Sequence, residues 1–197
     1  MSLKTEFHFP TMINIKDIPN PKGLNKYLEK RIIDWSGSDK GISKTNLGGW
    51  HSQTDMHTKE EYNPLKEKLF EMQKEIFENE RLKHKAILNT MWANINYPGN
   101  SNRAHIHPNS LLSGVYYVKA AKKSGNLVLF DPRQAVQMTL PDRIESKIPP
   151  PLWREIEYEP TPGRIIIFPS WLWHEVQPNM SKDIRISISF NFLYGMN

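Results

Sequence analysis

The stretch DIRISISFNF, residues 183–192, alternates between polar and apolar side chains. Successive side chains of an extended strand point to opposite faces of a sheet, so this period of two predicts a β-strand with two unlike faces. The polar face carries Arg185, Ser187 and Ser189, and the apolar face carries Ile184, Ile186, Ile188 and Phe190. In a small barrel or sandwich, we expect this polar face to point inward, where the burial of a charge is costly.

The same β-rich texture extends over the chain from Ala86 onward. Short runs separated by Gly and Pro predict further strands, and they read ILNTMWANINY, LLSGVYYV, NLVLF and GRIIIFP. No helical pattern long enough for a βαβ crossover lies between them, so the sheets are predicted to be antiparallel, in a sandwich or small barrel. The proline-rich segment 132–159 is predicted to be an irregular surface loop, with a lid over a barrel mouth as the alternative.

The N-terminal third predicts helices. An Asn-Pro pair marks the start of the first, and apolar residues follow it at helical spacing. A second apolar stripe runs between residues 65 and 76, preceded by Thr58 and Glu61 in the spacing of a capping box. The chain is therefore predicted to be a single mainly β (α+β) domain, in which a helical segment, 1–85, supports a β core, 86–197.

Length and composition restrict the class of protein. With 197 residues, the chain can bury a core without disulfides, and it has no Cys to form them or to supply a thiolate metal ligand. No window approaches the roughly eighteen apolar residues of a membrane span, so we expect a soluble cytoplasmic protein with no membrane partner. The net charge is +5, but the basic residues are scattered among acids, and no nucleic-acid partner is expected. No feature of the sequence indicates the oligomeric state.

Histidines in the β region indicate a metal site. His105 and His107 are two residues apart, so a strand would point both imidazoles to one face. His174, in FPSWLWHEVQPN, follows another predicted strand and could supply a third ligand. Three imidazoles suit Fe, Zn, Cu or Ni and leave coordination positions open for substrate or oxygen. The alternative is that His174 packs in the core between Trp171 and Trp173, with the other two on a polar face.

Arg185 is the second indication of a site. Arg is rarely buried without a partner, and its planar guanidinium matches a carboxylate through two hydrogen bonds. The sequence leaves two alternatives open. Arg185 either forms an interior ion pair with an Asp or Glu of the protein, or, with Ser187, it holds the far end of a dicarboxylate ligand.

The order of these motifs resembles the double-stranded β-helix oxygenases that depend on Fe(II) and 2-oxoglutarate. The segments that carry the resemblance are HIHPNSLLSGVYYV, NLVLFDP, PTPGRIIIFPSWLWHEVQPN and RISISFNF, and GGWHSQTDMH and FPTMINI are similar to the family's N-terminal part. More narrowly, the chain is similar to the 2-oxoglutarate–Fe(II) oxygenases of bacteria and cyanophages, to which prolyl hydroxylases are distantly related. The resemblance implies a jelly-roll core with a metal site at its open end, in the host cytoplasm if the gene belongs to a phage.

The resemblance also implies residue roles. His105 and His174 would bind Fe(II), and His174 would be the distal ligand. Arg185 would pair with the C5 carboxylate of 2-oxoglutarate, and Ser187 completes an Arg-x-Ser pattern seen in several such enzymes. Trp171 and Trp173 would shield the site, unless they are core residues.

The third metal ligand departs from the pattern of the superfamily, in which His-x-Asp is usual. His107 stands at the position of the Asp, so His107 itself could be the ligand. Asp131 from a neighbouring strand is an alternative, although it could instead form a turn pair with Arg133. A shifted register would make His107 and Asn109 the pair. Side-chain parity and donor type favour His107, which gives His105, His107 and His174 as the predicted metal-binding and catalytic set.

The implied activity is that of a dioxygenase, an oxidoreductase that uses molecular oxygen. It would couple the decarboxylation of 2-oxoglutarate to succinate with hydroxylation of a C–H bond in a small-molecule or peptidyl substrate. One rival hypothesis is a cupin-like three-histidine dioxygenase without 2-oxoglutarate, which leaves Arg185 unexplained. The other is a non-enzymatic β-sandwich binding module. Further candidates for the cavity wall, each with a structural role as the alternative, are Asn94, Asn96, Ser113 and Tyr117.

Overall fold

Eleven strands and two α-helices form the described part of the chain, which in this computed structural model comprises residues 2–83, 85–133, 135, 138 and 148–195. The helices are α1 (Lys22–Ser38) and α2 (Asn63–Asn79). The strands are β1 (Asn14–Asp17), β2 (Asn46–Leu47), β3 (Trp50–His51), β4 (Ala86–Asn96), β5 (Ser101–His105), β6 (Leu112–Lys119), β7 (Leu127–Phe130), β8 (Glu155–Tyr158), β9 (Arg164–Pro169), β10 (His174–Val176) and β11 (Arg185–Tyr194).

The strands form two sheets. One has the order β1-β9-β6-β11-β4-β3 and the other β2-β5-β10-β7-β8. Every pair of neighbouring strands is antiparallel, as the lack of crossover helices predicted. From β4 to β11, the chain passes back and forth between the two sheets, with only β7 and β8 consecutive in one of them. This is the jelly roll, or double-stranded β-helix, that the family resemblance implied.

The larger sheet buries its outer face under the two helices. Ile186, Ile188 and Phe190 of β11 are fully buried in the same apolar cluster as Leu28 of α1 and Leu69 of α2. Burial of each such side chain stabilises the fold by roughly 1.5–3 kcal/mol. The predicted apolar face of β11 is therefore the face that meets the helices.

The inner face of the larger sheet meets the smaller sheet through a second apolar cluster. Val115 and Tyr117 of β6 and Phe168 of β9 pack there with Leu127 and Leu129 of β7. The polar face of β11 points into the same intersheet space, where Arg185, Ser187, Ser189 and Asn191 line a cavity. The alternation of β11 thus places a hydrophobic core on one side and a polar cavity on the other.

Several local predictions were wrong. Thr58 and Glu61 do not cap α2, because two short 3₁₀ helices, Met56–Thr58 and Glu60–Tyr62, precede it; the Thr58 hydroxyl instead donates to the Asp55 carbonyl (2.8 Å). The segment before Ala86 is not only helical, since it also supplies β1, β2 and β3.

The segment 132–159 contains more regular structure than predicted. Its residues Glu155–Tyr158 form β8, which pairs with β7 at the edge of the smaller sheet. Residues 134, 136, 137 and 139–147 of the same segment, and with them part of the predicted loop or lid, lie outside the described residues. The division of the chain into a supporting segment, 1–85, and a core, 86–197, stays a prediction. In the described part of the chain, neither helix has the length and apolar content needed to cross a membrane.

Candidate active site

A cavity of about 300 Å³ lies between the two sheets. Its walls come mainly from β4, β5, β6, β10 and β11, and from residues just before β2. All four wall candidates taken from the sequence, Asn94, Asn96, Ser113 and Tyr117, line it. Ser113 also has the structural role that was the alternative, because its hydroxyl donates to Asn191 Oδ1 (2.7 Å).

Three histidines meet in this cavity. His105 ends β5 and His174 begins β10, and antiparallel pairing places these two residues directly opposite each other. His107 follows two residues after His105, and the ring centroids of the three lie 4.3–5.1 Å apart. One ligand nitrogen of each histidine lies within 4.8 Å of the other two, a separation suited to binding one metal ion.

The hydrogen bonds of two of these rings determine which nitrogen is free. His105 Nδ1 bonds the Arg103 carbonyl (2.7 Å), and His174 Nδ1 bonds the Leu172 carbonyl (2.8 Å). Because a carbonyl only accepts, each Nδ1 carries the proton and each Nε2 keeps its lone pair. A hydrogen bond from the second ring nitrogen to a backbone carbonyl is the usual way in which a protein orients a metal-binding imidazole.

Burial keeps the histidines neutral. It lowers the pKa of His174 to about 3, assisted by the neighbouring His105, and the pKa of His107 to about 4. Burial also lowers the pKa of His105, against the opposing effect of its hydrogen bond to Arg103. All three rings therefore offer a lone pair at neutral pH, as metal binding requires.

Arg185 lies fully buried in the same cavity, with 1% of its surface exposed. Its Nη1 donates to the carbonyls of Ser124 and Gly125, the latter at 2.9 Å. Its Nη2 is buried and has no partner among the described residues. Burial lowers the pKa of Arg185 to about 10, so the guanidinium stays charged at neutral pH. Within the described part of the chain, no Asp or Glu forms the interior ion pair that was one of the two hypotheses for Arg185.

Tyr117 and Ser187 lie beside Arg185 in the cavity wall. Ser187 is two residues along β11 from Arg185, and it pairs with Tyr117 of β6 across the sheet. Burial raises the pKa of Tyr117 to about 12, and the charge of Arg185 opposes this shift. The Tyr117 hydroxyl therefore stays protonated at neutral pH, and both it and the Ser187 hydroxyl can donate hydrogen bonds next to the guanidinium.

The structure does not bring the two alternative third ligands to the histidines. Asp131 accepts two hydrogen bonds from the Arg133 guanidinium, at 2.9 and 2.8 Å, and a third from the Arg133 backbone N–H, which is the turn pair considered from the sequence. Asn109 occupies a left-handed turn position with φ of 62°. Neither residue lines the cavity, whereas His107 does.

Both predictions for the tryptophans that flank His174 were wrong. Trp171 and Trp173 are 53% and 48% exposed, and neither lines the cavity or packs in the core. The reason is alternation through the turn: Leu172 and His174 point inward, so the residues between and before them point outward.

His51 and Trp92 are among the cavity residues that the sequence did not predict. His51 is 4% exposed and stacks on Trp92 with ring centroids 5.6 Å apart and planes 9° apart. Trp92 in turn lies 5.6 Å from His107. Trp92 lies two residues before Asn94 on β4 and therefore faces the same side of the sheet, so it could have been assigned to the cavity together with Asn94. His51 could not, because β3 has two residues and shows no alternation.

Residues 90–191 match the family described as "Putative 2OG-Fe(II) oxygenase". The match covers just over half of the chain and runs from β4 into β11, so the chain belongs to this family. The protein is accordingly an enzyme of the 2-oxoglutarate- and Fe(II)-dependent oxygenase type, with Fe(II) and 2-oxoglutarate as its cofactors. Among curated proteins, none matches the sequence.

Solved structures share the fold at low sequence identity. A prolyl-4-hydroxylase from Pseudomonas putida has a TM-score of 0.68 and 16% identity, with 94% of each chain covered. A prolyl hydroxylase from Trichoplax adhaerens, solved with a peptide of the hypoxia inducible factor oxygen degradation domain, has a TM-score of 0.65 and 13% identity, covering 92% of this chain and 83% of its own. The non-heme alpha ketoglutarate dependent epimerase SnoN from nogalamycin biosynthesis has a TM-score of 0.70 and 9% identity, with 93% and 77% covered. At these identities the likeness is one of fold.

Proposed function

We propose that this enzyme is a dioxygenase that hydroxylates a C–H bond of its substrate and converts 2-oxoglutarate to succinate, with His105, His107 and His174 as the metal ligands. The observation that carries the proposal is the buried Nη2 of Arg185, which has no partner among the described residues and belongs to the cavity that holds the three histidines. A buried cation next to a potential metal site calls for an anionic ligand that reaches both.

The three histidines fit Fe(II). Neutral imidazoles are suitable ligands for this ion, and three of them leave coordination positions for a bidentate cosubstrate and for oxygen. When bound, Fe(II) together with 2-oxoglutarate supplies the oxidising chemistry, which protein side chains cannot provide. The part of the protein is to hold the imidazoles through the carbonyls of Arg103 and Leu172, and to enclose the site between the sheets.

Arg185 and Ser187 fit the far carboxylate of 2-oxoglutarate. A carboxylate at Arg185 Nη2 would satisfy the unpartnered donor and neutralise a guanidinium that is 1% exposed. Ser187 and Tyr117 would donate further hydrogen bonds from the neighbouring strands. A cupin-like enzyme without 2-oxoglutarate gives Arg185 no partner, and a non-enzymatic module gives no reason for the histidine cluster.

The substrate is, in this proposal, a small molecule or a group on a peptide. The cavity of about 300 Å³ must hold 2-oxoglutarate as well, so it has room for one substrate moiety of modest size. The Trichoplax adhaerens structure contains a peptide, and the SnoN structure is that of an epimerase from nogalamycin biosynthesis. A cytoplasmic location and a phage origin stay predictions.

The test is a titration of Fe(II) and then 2-oxoglutarate into the purified protein without oxygen. We expect a visible charge-transfer band when both are present, and we expect its loss in His105→Ala and His174→Ala. His8→Ala is the matched control, because His8 is an exposed histidine outside the cavity, and it should keep the band. Failure of the wild-type protein to develop the band would contradict the proposal.

A further inference from the structure

The charge of the active-site cavity is unusual for a metal site. The described residues of its wall include two cationic side chains, the buried Arg185 and the exposed Lys44, but neither Asp nor Glu. The three clustered histidines would bind a metal as neutral imidazoles and so add no charge of their own. The common set of two histidines and one carboxylate would place a negative charge beside the metal, and here His107 supplies none.

The cofactors do not remove this excess of positive charge. The charges of Fe(II) and of the 2-oxoglutarate dianion cancel, so the charges of the two side-chain cations remain. A cavity wall that carries cations and no acid attracts anions, and Lys44, which is exposed, can be reached by a ligand from solvent. If the far carboxylate of 2-oxoglutarate pairs with Arg185, Lys44 is the side chain left to bind a second anion.

The backbone holds Lys44 at the cavity wall. The next residue, Thr45, accepts a hydrogen bond from the Arg103 N–H of β5 (2.9 Å), and the Ile42 N–H donates to the His51 carbonyl of β3 (2.8 Å). Lys44 therefore lies in a segment tied to both sheets, close enough to His51 for its charge to contribute to lowering the pKa of that ring.

The ammonium group of Lys44 is available for a ligand. Within the described part of the chain, Nζ of Lys44 has no acidic partner and no hydrogen bond. Some other lysines do have acidic partners: Lys119 pairs with Glu29 (2.7 Å) and Lys68 with Glu71 (2.9 Å). Arg185 is anchored from a different side, by the turn at Ser124 and Gly125, so one ligand carboxylate need not satisfy both cations.

We propose that the substrate carries an anionic group, a carboxylate or a phosphate, and that Lys44 binds this group at the cavity wall. The proposal rests on the proposed function, because it assigns the substrate of the same site. It makes Lys44 a specificity-determining residue that does not contact 2-oxoglutarate. A neutral analogue of the substrate should therefore bind more weakly than the anion, while the affinity for 2-oxoglutarate should not depend on Lys44.

The experiment uses isothermal titration calorimetry on the full chain loaded with Fe(II) and 2-oxoglutarate without oxygen. The probes are matched pairs: small organic acids with their primary amides, and phosphate monoesters with their parent alcohols. At least one anion should bind about tenfold or more tightly than its neutral partner, and the chemical class of that pair distinguishes carboxylate from phosphate. This preference should be lost in Lys44→Ala, retained in Lys44→Arg and retained in the control Lys40→Ala, whose side chain lies outside the cavity wall.

Three outcomes would overturn the proposal while the proposed function stands. The first is that the wild-type protein prefers no anion over its neutral partner. The second is that the Lys44→Ala variant keeps the preference. The third is that the Lys44→Ala variant loses as much affinity for 2-oxoglutarate as for the anionic probe. The titration of 2-oxoglutarate alone comes first. If the iron-loaded wild-type protein does not bind it, the proposed function fails and the present proposal fails with it.

Discussion

At the scale of single residues, the metal site differs from the usual His-x-Asp pattern at one position, His107. The resemblance places His107 where the superfamily usually has Asp, and the His107 ring lies 4.9 and 5.1 Å from those of His105 and His174. The spacing of His105 and His107 predicted a shared face, and the structure brings both to His174. No pattern predicted His51, because the contact that places it in the cavity depends on tertiary pairing with β4.

The choice of third ligand leads to the first prediction. His107→Ala should lower the iron content of the purified protein severalfold, because two imidazoles remain for the metal. Asp131→Ala should leave iron content unchanged, since Asp131 pairs with Arg133 outside the cavity. Metal analysis of both variants at equal protein concentration makes the comparison, and the reverse order of iron contents would assign the ligand to Asp131.

The buried histidines also predict how stability depends on pH. The pKa values of His107 and His174 in the folded protein, about 4 and about 3, lie below the usual value of 6.5. Between these values the unfolded chain binds more protons than the folded one, so the stability of the metal-free protein should decrease as the pH falls below about 6.5. We expect the melting temperature to drop by several degrees between about pH 7.5 and about pH 5. An equal drop in the double variant His107→Gln, His174→Gln would show that other groups are responsible.

At the scale of elements, the alternation of polar and apolar side chains in β11 could be predicted, because residues 183–192 follow it without a break. The shape of the turn that holds Arg185 could not be predicted. Ser124 and Gly125 lie in the turn between β6 and β7, and their carbonyls accept hydrogen bonds from the buried guanidinium. Gly125 has φ of +91°, and a Cβ there would lie 2.7 Å from Arg185 Nη1 and 2.1 Å from the Gln177 carbonyl oxygen. The turn therefore requires glycine for both its conformation and the close approach.

This turn gives a prediction with a matched control. Gly125→Ala should displace Arg185 and weaken 2-oxoglutarate binding about tenfold or more, besides lowering stability. Gly99→Ala introduces the same kind of strain, with φ of +85°, but its Cβ would meet nothing within 4 Å. It should cost about 1–2 kcal/mol of stability and leave 2-oxoglutarate affinity unchanged. Calorimetric titration of both variants would contradict the account if Gly125→Ala bound 2-oxoglutarate as the wild type does.

At the scale of the whole molecule, the two helices and the larger sheet share one core on the outer face of that sheet. Leu69 of α2 and Ile188 of β11 are both fully buried in it, and the Tyr116 hydroxyl of β6 donates to Asn25 of α1. The sequence could predict that helices support a β core, because both stripes were visible. The order of the strands depends on long-range pairing, and the resemblance to oxygenases, rather than periodicity, predicted the jelly roll.

The shared core predicts a single unfolding transition. Leu69→Ala should lower the free energy of unfolding by about 2–5 kcal/mol in one cooperative step, because the cavity it leaves lies in the core common to α2 and the sheet. Lys68→Ala, an exposed neighbour on the same helix, should change it by less than about 1 kcal/mol. Urea unfolding followed by circular dichroism and tryptophan fluorescence makes the test. Two separate transitions would contradict the prediction of a single domain.

The central claim is that Arg185 binds the far carboxylate of 2-oxoglutarate while the three histidines bind Fe(II). The most direct measurement is the dissociation constant of 2-oxoglutarate, together with iron content, for the wild type, Arg185→Ala and Arg185→Lys without oxygen. We expect Arg185→Ala to weaken 2-oxoglutarate binding by about tenfold to a hundredfold with iron content intact, and Arg185→Lys to lose less because it keeps the charge. A folded, iron-loaded Arg185→Ala protein with wild-type affinity for 2-oxoglutarate would contradict the account.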